Sequence, residues 1–141
     1  MWPMANPRSA SIPEPTLEPA PEAAEIAAGL RAVFRLFELW KLDVEQQRVL
    51  LGRPSRSTFY NWRAGKIGAV PHDVVRRLSW LLGIHKALQI VFADPAQADG
   101  WVHRANDAFG GRSALDHMLA GDVADLAAVR AHLDAARGGW S

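Results

Sequence analysis

The chain has no cysteine. That excludes a disulfide framework and a cysteine-ligated zinc, and it fits a reducing compartment. Long apolar runs are also missing, and none approaches the ~20 residues of a membrane span. The opening stretch "MWPMANPRSASIPEPTLEPAPE" lacks the basic region followed by an apolar stretch that marks a secretory signal. These absences lead us to expect a soluble, cytoplasmic protein with no membrane partner. The five histidines, His72, His85, His103, His117 and His132, show no metal spacing, and no pair sits at i,i+4 around a glutamate. No metal ligand is expected. Ser113 stands in "GRSAL", without the second glycine of a nucleophile elbow, and reads as a helix cap. Asp116 and His117 read as surface residues rather than an acid–base pair. No catalytic residue, cofactor or small-molecule substrate is expected.

What is present is a chain of 141 residues, 49% of them apolar, enough for a sizeable core. The net charge of +1 hides an uneven distribution. Residues 46–93 carry Arg48, Arg53, Arg56, Arg63, Lys66, Arg76, Arg77 and Lys86 against a single acid, Asp73. Both flanks are acidic. A basic centre between acidic arms marks a local anion-binding face.

Along the chain, residues 1–21 hold six of the nine prolines and read as a disordered leader. From Glu22 the row Ile26, Leu30, Val33, Phe34, Phe37, Trp40 recurs at three- and four-residue steps, one face of a helix. Asp43 and Gln46 form a capping box for a helix from Val44 to Leu51, with Gly52 in its C-terminal left-handed turn. Ser55 caps a second short helix, Arg56 to Ala64, closed by Gly65. Pro71 fits the first turn of the next helix, whose inner face is Val74, Leu78 and Leu81. Gly83 is expected to break that helix, with another from Ile84 to Phe92. "ADPAQADG" reads as a boundary. Beyond it we expect a short helix around Ala96–Arg104, the turn "NDAFGGR", a helix capped by Ser113 with Asp116 as box partner, and a last helix that begins after Asp122 and runs to about Ala136. With no strand pattern, the fold class is all-α, divided into a leader (1–21), a basic helical domain (22–92) and a small C-terminal helical domain (93–141).

"DVEQQRVLLGRPSRSTFYNWRAGKI" has helix-turn-helix character: two short helices meet at a tight glycine turn and the second is polar outside. Phe59 and Trp62 pack inward. Arg56, Ser57, Tyr60, Asn61 and Arg63 face out, where arginine reads guanine and asparagine reads adenine. Arg53, Lys66, Arg76 and Arg77 flank them and suit phosphates. Between Gly52 and Phe59 the motif runs one residue longer than usual, and the extra residue is placed in "RPS". A helix-turn-helix monomer reads few base pairs, so a homodimer on a palindrome is expected, with Phe34, Phe37 and Trp40 contributing to its face.

The C-terminal stretch carries Trp101, Asn106, Phe109-Gly110-Gly111, Ser113-Ala114-Leu115, Met118, Gly121, Val129-Arg130 and Leu133. In this order and spacing it resembles the toxin-binding domain of Xre/MbcA/ParS-type antitoxins, and the basic segment before it resembles their Xre-like DNA-binding half. The resemblance covers about residues 25–141. It implies a bacterial type II antitoxin that binds operator DNA to repress its own operon and blocks a RES-domain toxin, an enzyme that consumes NAD. It also implies that the C-terminal tail enters the toxin's cleft. That would account for the ending "RGGWS", where a large indole follows two glycines: Arg137, Gly138, Gly139, Trp140 and Ser141, with Arg130, are the expected toxin-binding residues. The indole folding back on its own domain is the other reading of Trp140. A transcription regulator whose C-terminal domain serves only dimerisation is the alternative reading of the whole chain.

Overall fold

A computed structural model describes residues 19–139, with side chains from 22 to 137. The helices are α1 (Pro19–Leu39), α2 (Val44–Leu50), α3 (Arg56–Arg63), α4 (His72–Val91), α5 (Pro95–Gly100), α6 (Ala114–Met118) and α7 (Val123–Gly139), with 3₁₀ turns at Trp101–His103 and Asp107–Phe109. Among the described residues no strand forms, so the chain is all-α; an isolated antiparallel bridge, Ala105 to Ser113, closes one loop. The leader expected at 1–21 lies outside the described residues up to residue 18. Residues 19–21 are the first turn of α1, where amide groups have no intrahelical acceptor and prolines are tolerated.

The short helices are set by their ends. Asp43 accepts from the Gln46 amide (2.8 Å) and the Gln46 side chain accepts from the Asp43 amide (2.9 Å), so both halves of the capping box form. Ser55 Oγ accepts from the Thr58 amide, and Ser113 Oγ from the Asp116 amide. At the other ends, α2 and α3 close on left-handed glycines, Gly52 (φ 92°) and Gly65 (φ 86°). In each the next amide reaches back to the carbonyl five residues earlier, Arg53 to Arg48 (2.7 Å) and Lys66 to Asn61 (2.7 Å). The end of α1 has the same closure with Lys41 (φ 56°) where a glycine is usual.

Helix α4 is the spine. It packs against α1 on one side and α7 on the other, burying Val74, Leu78, Leu81, Ile84, Ala87 and Leu88. The core is continuous from Leu30 in α1 to Leu133 in α7, through Phe37, Trp40, Phe59 and Met118. The expected boundary at "ADPAQADG" therefore separates no independent cores. Phe37 and Trp40, expected on a dimer face, are wholly buried in this core, and Phe34 packs edge-on against Phe37 and Phe59.

Two expected helix ends move. Gly83 does not break α4, which runs unbroken for 20 residues. A Cβ at Gly83 would run into the Arg130 guanidinium of α7; the missing side chain lets α7 cross closely, and a helical glycine costs only about 1 kcal/mol. Helix α7 likewise continues past Ala136, through Gly138 to Gly139.

Arg77, within α4, is buried. Its Nε donates to Asp73 (2.8 Å) and its Nη2 donates to the Gly121 carbonyl at the corner between α6 and α7 (2.8 Å). The Gly52 turn lies against the same pair: a Cβ there would stand 3.0 Å from Arg77 Nε and 3.1 Å from Asp73 Oδ2. The adjacent Arg76 is exposed. Arg77→Ala leaves a buried carbonyl unpaired and is expected to lower unfolding free energy by about 2–3 kcal/mol. Arg76→Ala is expected to change it by no more than about 0.5 kcal/mol. Urea unfolding of the two variants measures the contrast, and equal midpoints would remove Arg77 from the structural core.

Candidate nucleic-acid and partner interfaces

The orientation of α3 follows from two aromatic anchors. Phe59 is fully buried and Trp62 nearly so, and Phe59 meets Phe34 of α1 edge-on at 5.5 Å. With that face fixed, Arg56, Ser57, Tyr60, Asn61 and Arg63 are left exposed, as the sequence pattern requires. Tyr60 lies edge-on to Phe59 at 5.2 Å, which holds its ring at the surface. Arg56 pairs with Glu45 of α2 at 2.8 Å, and the same carboxylate holds Arg48. Both Arg56 and Glu45 are well exposed, so this pair is worth a few tenths of a kcal/mol and yields to a competing acceptor.

The extra residue of the turn is accommodated by two successive left-handed residues, Gly52 and Arg53 (φ 62°). Pro54 behind Arg53 disfavours the right-handed helical region there, and Arg48 Nε donates to the Pro54 carbonyl at 3.0 Å, strapping the turn. The helix α3 therefore keeps its inward anchors. Arg53 is exposed, yet its guanidinium rests against Gly121, where a Cβ would be 2.8 Å from Nη1. Lys66, just past the end of α3, and Arg76, on α4, are exposed. Arg77, expected on phosphates, is a correction: it is buried and its donors are taken by Asp73 and Gly121. Sequence charge identified the residue, but charge alone does not distinguish a solvated arginine from a buried strut.

Two basic residues escaped the sequence reading. Arg31 and Arg35 of α1 line a cleft of about 510 Å³ with Phe34, Glu38, Trp62 and Arg63. Their i,i+4 spacing on the polar side of α1 was the available signal, but they precede the segment where basic charge concentrates.

In the C-terminal part, the loop "NDAFGGR" is a compact turn. The Asn106 side chain accepts from the Ala108 amide (2.9 Å), and Gly110 and Gly111 are both left-handed. Nothing lies within 4 Å of a Cβ at either, so backbone conformation and not space asks for glycine there. The loop delivers Phe109 onto His117 and His132, and Trp101 stacks on His132 at 5.9 Å, giving a half-buried aromatic–imidazole cluster beside α7. His103 Nε2 donates to the Trp40 carbonyl at 2.6 Å and ties this part to the end of α1. Arg130 pairs with Asp134 at 3.0 Å while lying over Gly83, so it joins α7 to α4. Arg137 is exposed on the last turn of α7. Gly138 and Gly139 are helical, while Trp140 and Ser141 lie outside the described residues. Among the described residues no group of three or more His, Asp or Glu side chains is placed to hold a metal, and no helix is long and apolar enough to cross a membrane.

Comparison with known proteins gives two family matches. Residues 20–83 match the antitoxin Xre-like helix-turn-helix domain, and residues 87–139 match the antitoxin Xre/MbcA/ParS C-terminal toxin-binding domain. The seam between them falls inside α4. The "Uncharacterized protein y4oB" of Sinorhizobium fredii is 48% identical over 121 residues, covering 86% of this chain and 93% of the relative. No solved structure matches. The paired domains, in this order on one continuous helical core, establish that the chain belongs to the Xre/MbcA/ParS antitoxins.

Proposed function

We propose that this antitoxin acts in a type II pair whose toxin is a RES-domain, NAD-consuming enzyme, and that it represses its own operon as a homodimer in the bacterial cytoplasm. The observation that carries the reading is the division of labour within one core: a helix-turn-helix with an outward polar face, joined through α4 to a toxin-binding domain. On the DNA side, Arg56, Ser57, Tyr60 and Asn61 read base edges in the major groove, with Arg53, Arg63, Lys66 and Arg76 beside them for phosphates. On the toxin side, α7 presents Arg137 and leads into Gly138, Gly139, Trp140 and Ser141, which enter the toxin's cleft. Arg130 acts there by holding α7 on α4. An indole suits a nucleotide-binding cleft because it offers a flat apolar face and one N–H donor.

Two measurements test the DNA half. Arg56→Ala is expected to cost about 1–3 kcal/mol at one base pair and relax sequence preference, whereas Lys66→Ala weakens binding to all sequences alike. Gel shifts on the DNA upstream of the gene distinguish these, and uniform loss from Arg56→Ala would remove its base-reading role. Light scattering of the protein on that DNA is expected to give a two-fold dimer; a monomer both free and bound would refute the dimer.

Trp140→Ala tests the toxin half. Truncating a buried interface tryptophan costs ~2 kcal/mol or more, about 30-fold in affinity. Inhibition of NAD consumption by the co-expressed toxin is expected to weaken by that factor at unchanged melting temperature. A lower melting temperature with inhibition intact would mean that the indole packs on its own domain. Intact DNA binding with no inhibition of any NAD-consuming partner would leave the C-terminal domain a dimerisation device.

A further inference from the structure

The arginines assigned to phosphates from sequence are not all available for that work. Arg77 is held inside the fold by Asp73 and the Gly121 carbonyl. The cleft between α1 and the C-terminal end of α3 has the exposed cations that Arg77 cannot supply. Arg31 and Arg35, one helical turn apart, face Arg63 across a hollow of about 510 Å³ with Phe34 and Trp62 in its wall. All three arginines are exposed. Among the described residues no carboxylate pairs with any of them, whereas Arg48, Arg56, Arg77 and Arg130 each hold a partner. Glu38 lines the same cleft without bonding to them. The walls are fixed, because Phe34 is locked edge-on against Phe59 and Phe37.

We propose that Arg31, Arg35 and Arg63 form a phosphate clamp for the DNA backbone next to the base-reading helix, so that α1 contributes to the nucleic-acid interface. This rests on the DNA-binding reading given above and adds to it a site on a helix outside the helix-turn-helix. Three neighbouring guanidinium groups facing one carboxylate repel one another and create a field that a polyanion relieves. Arginine's planar donor fork matches phosphate oxygens in pairs, and its weak hydration lowers the cost of that contact. The cleft opens beside Arg63, at the end of the helix whose exposed face reads bases, so a duplex seated on that face brings its backbone to it. Contacts of this kind set register and orientation without reading sequence.

The test is the salt dependence of binding to a duplex from the region upstream of the gene and to a scrambled duplex of equal length. Each phosphate neutralised contributes a slope of about 0.9 in log affinity against log salt. The double variant Arg31→Gln/Arg35→Gln is expected to flatten the slope by about 1.8 and to weaken both duplexes by the same factor. Helix content and melting temperature should stay those of the parent. Glu38→Gln removes the one carboxylate in the cleft and is expected to tighten binding to both duplexes, severalfold at low salt. A parental protein that binds while the double variant keeps its slope overturns the clamp and leaves the helix-turn-helix reading standing. Should the double variant fail to fold, unchanged affinity for Glu38→Gln overturns the clamp by itself. A parental protein that binds neither duplex at low salt overturns the DNA-binding reading and the clamp together.

Discussion

The buried guanidinium of Arg77 is the constraint on which the rest of the arrangement depends. A charge taken out of water has to find acceptors, and here it finds a carboxylate on its own helix and a backbone carbonyl 44 residues away. Gly52 has no side chain to obstruct that pair, and Gly121 has none to obstruct Arg53. The turn of the helix-turn-helix and the corner before α7 are thereby both held against one side chain. A few ångströms of freedom at either glycine would let α3 tilt against the core that orients its outward polar face. The packing of Arg130, held by Asp134, over Gly83 does the same work further along α4, where the two helices cross closely.

What the sequence discloses and what it hides divide along the range of the interaction. Asp43 with Gln46, and Ser55 and Ser113, act on amides three residues away, so their caps are readable from the letters alone. The inward rows of α1, α3 and α7 are readable for the same reason, as they repeat with the helix. Gly83 was expected to end a helix because its reason for being glycine lies on α7, 47 positions away, in the side chain of Arg130. Arg77 passed for a surface cation because nothing local announces burial. Lys41 takes a left-handed conformation with no glycine to signal it. On the interface, the exposed set on α3 followed from the anchors Phe59 and Trp62, while Arg31 and Arg35 join Arg63 only once α1 is folded against α3.

The uneven charge of the chain takes on a spatial meaning in the fold. Acids and bases do not separate into two lobes: Glu45 reaches from α2 to Arg56 on α3, and Asp73 sits beneath the turn that leads there. The basic face is partly held by internal acids. An exposed pair such as Glu45 with Arg56 is cheap to open, so it orders a long side chain without fixing it. Arg31, Arg35 and Arg63 lack such holders among the described residues, and the cleft between them stays strongly positive.

The continuity of the core from Leu30 to Leu133 carries a consequence for turnover. Two halves that share a spine open together, because α4 packs both on α1, which anchors α3 through Phe34, and on α7, so loosening α4 loosens both. A ligand that binds the native state alone raises the free energy of opening by an amount set by its concentration relative to its dissociation constant. That protection is not confined to the surface the ligand covers; it extends to every amide whose exchange requires the shared opening. Occupancy at one end of the molecule therefore lengthens the lifetime of the other end against proteases, without any change of shape passing between them.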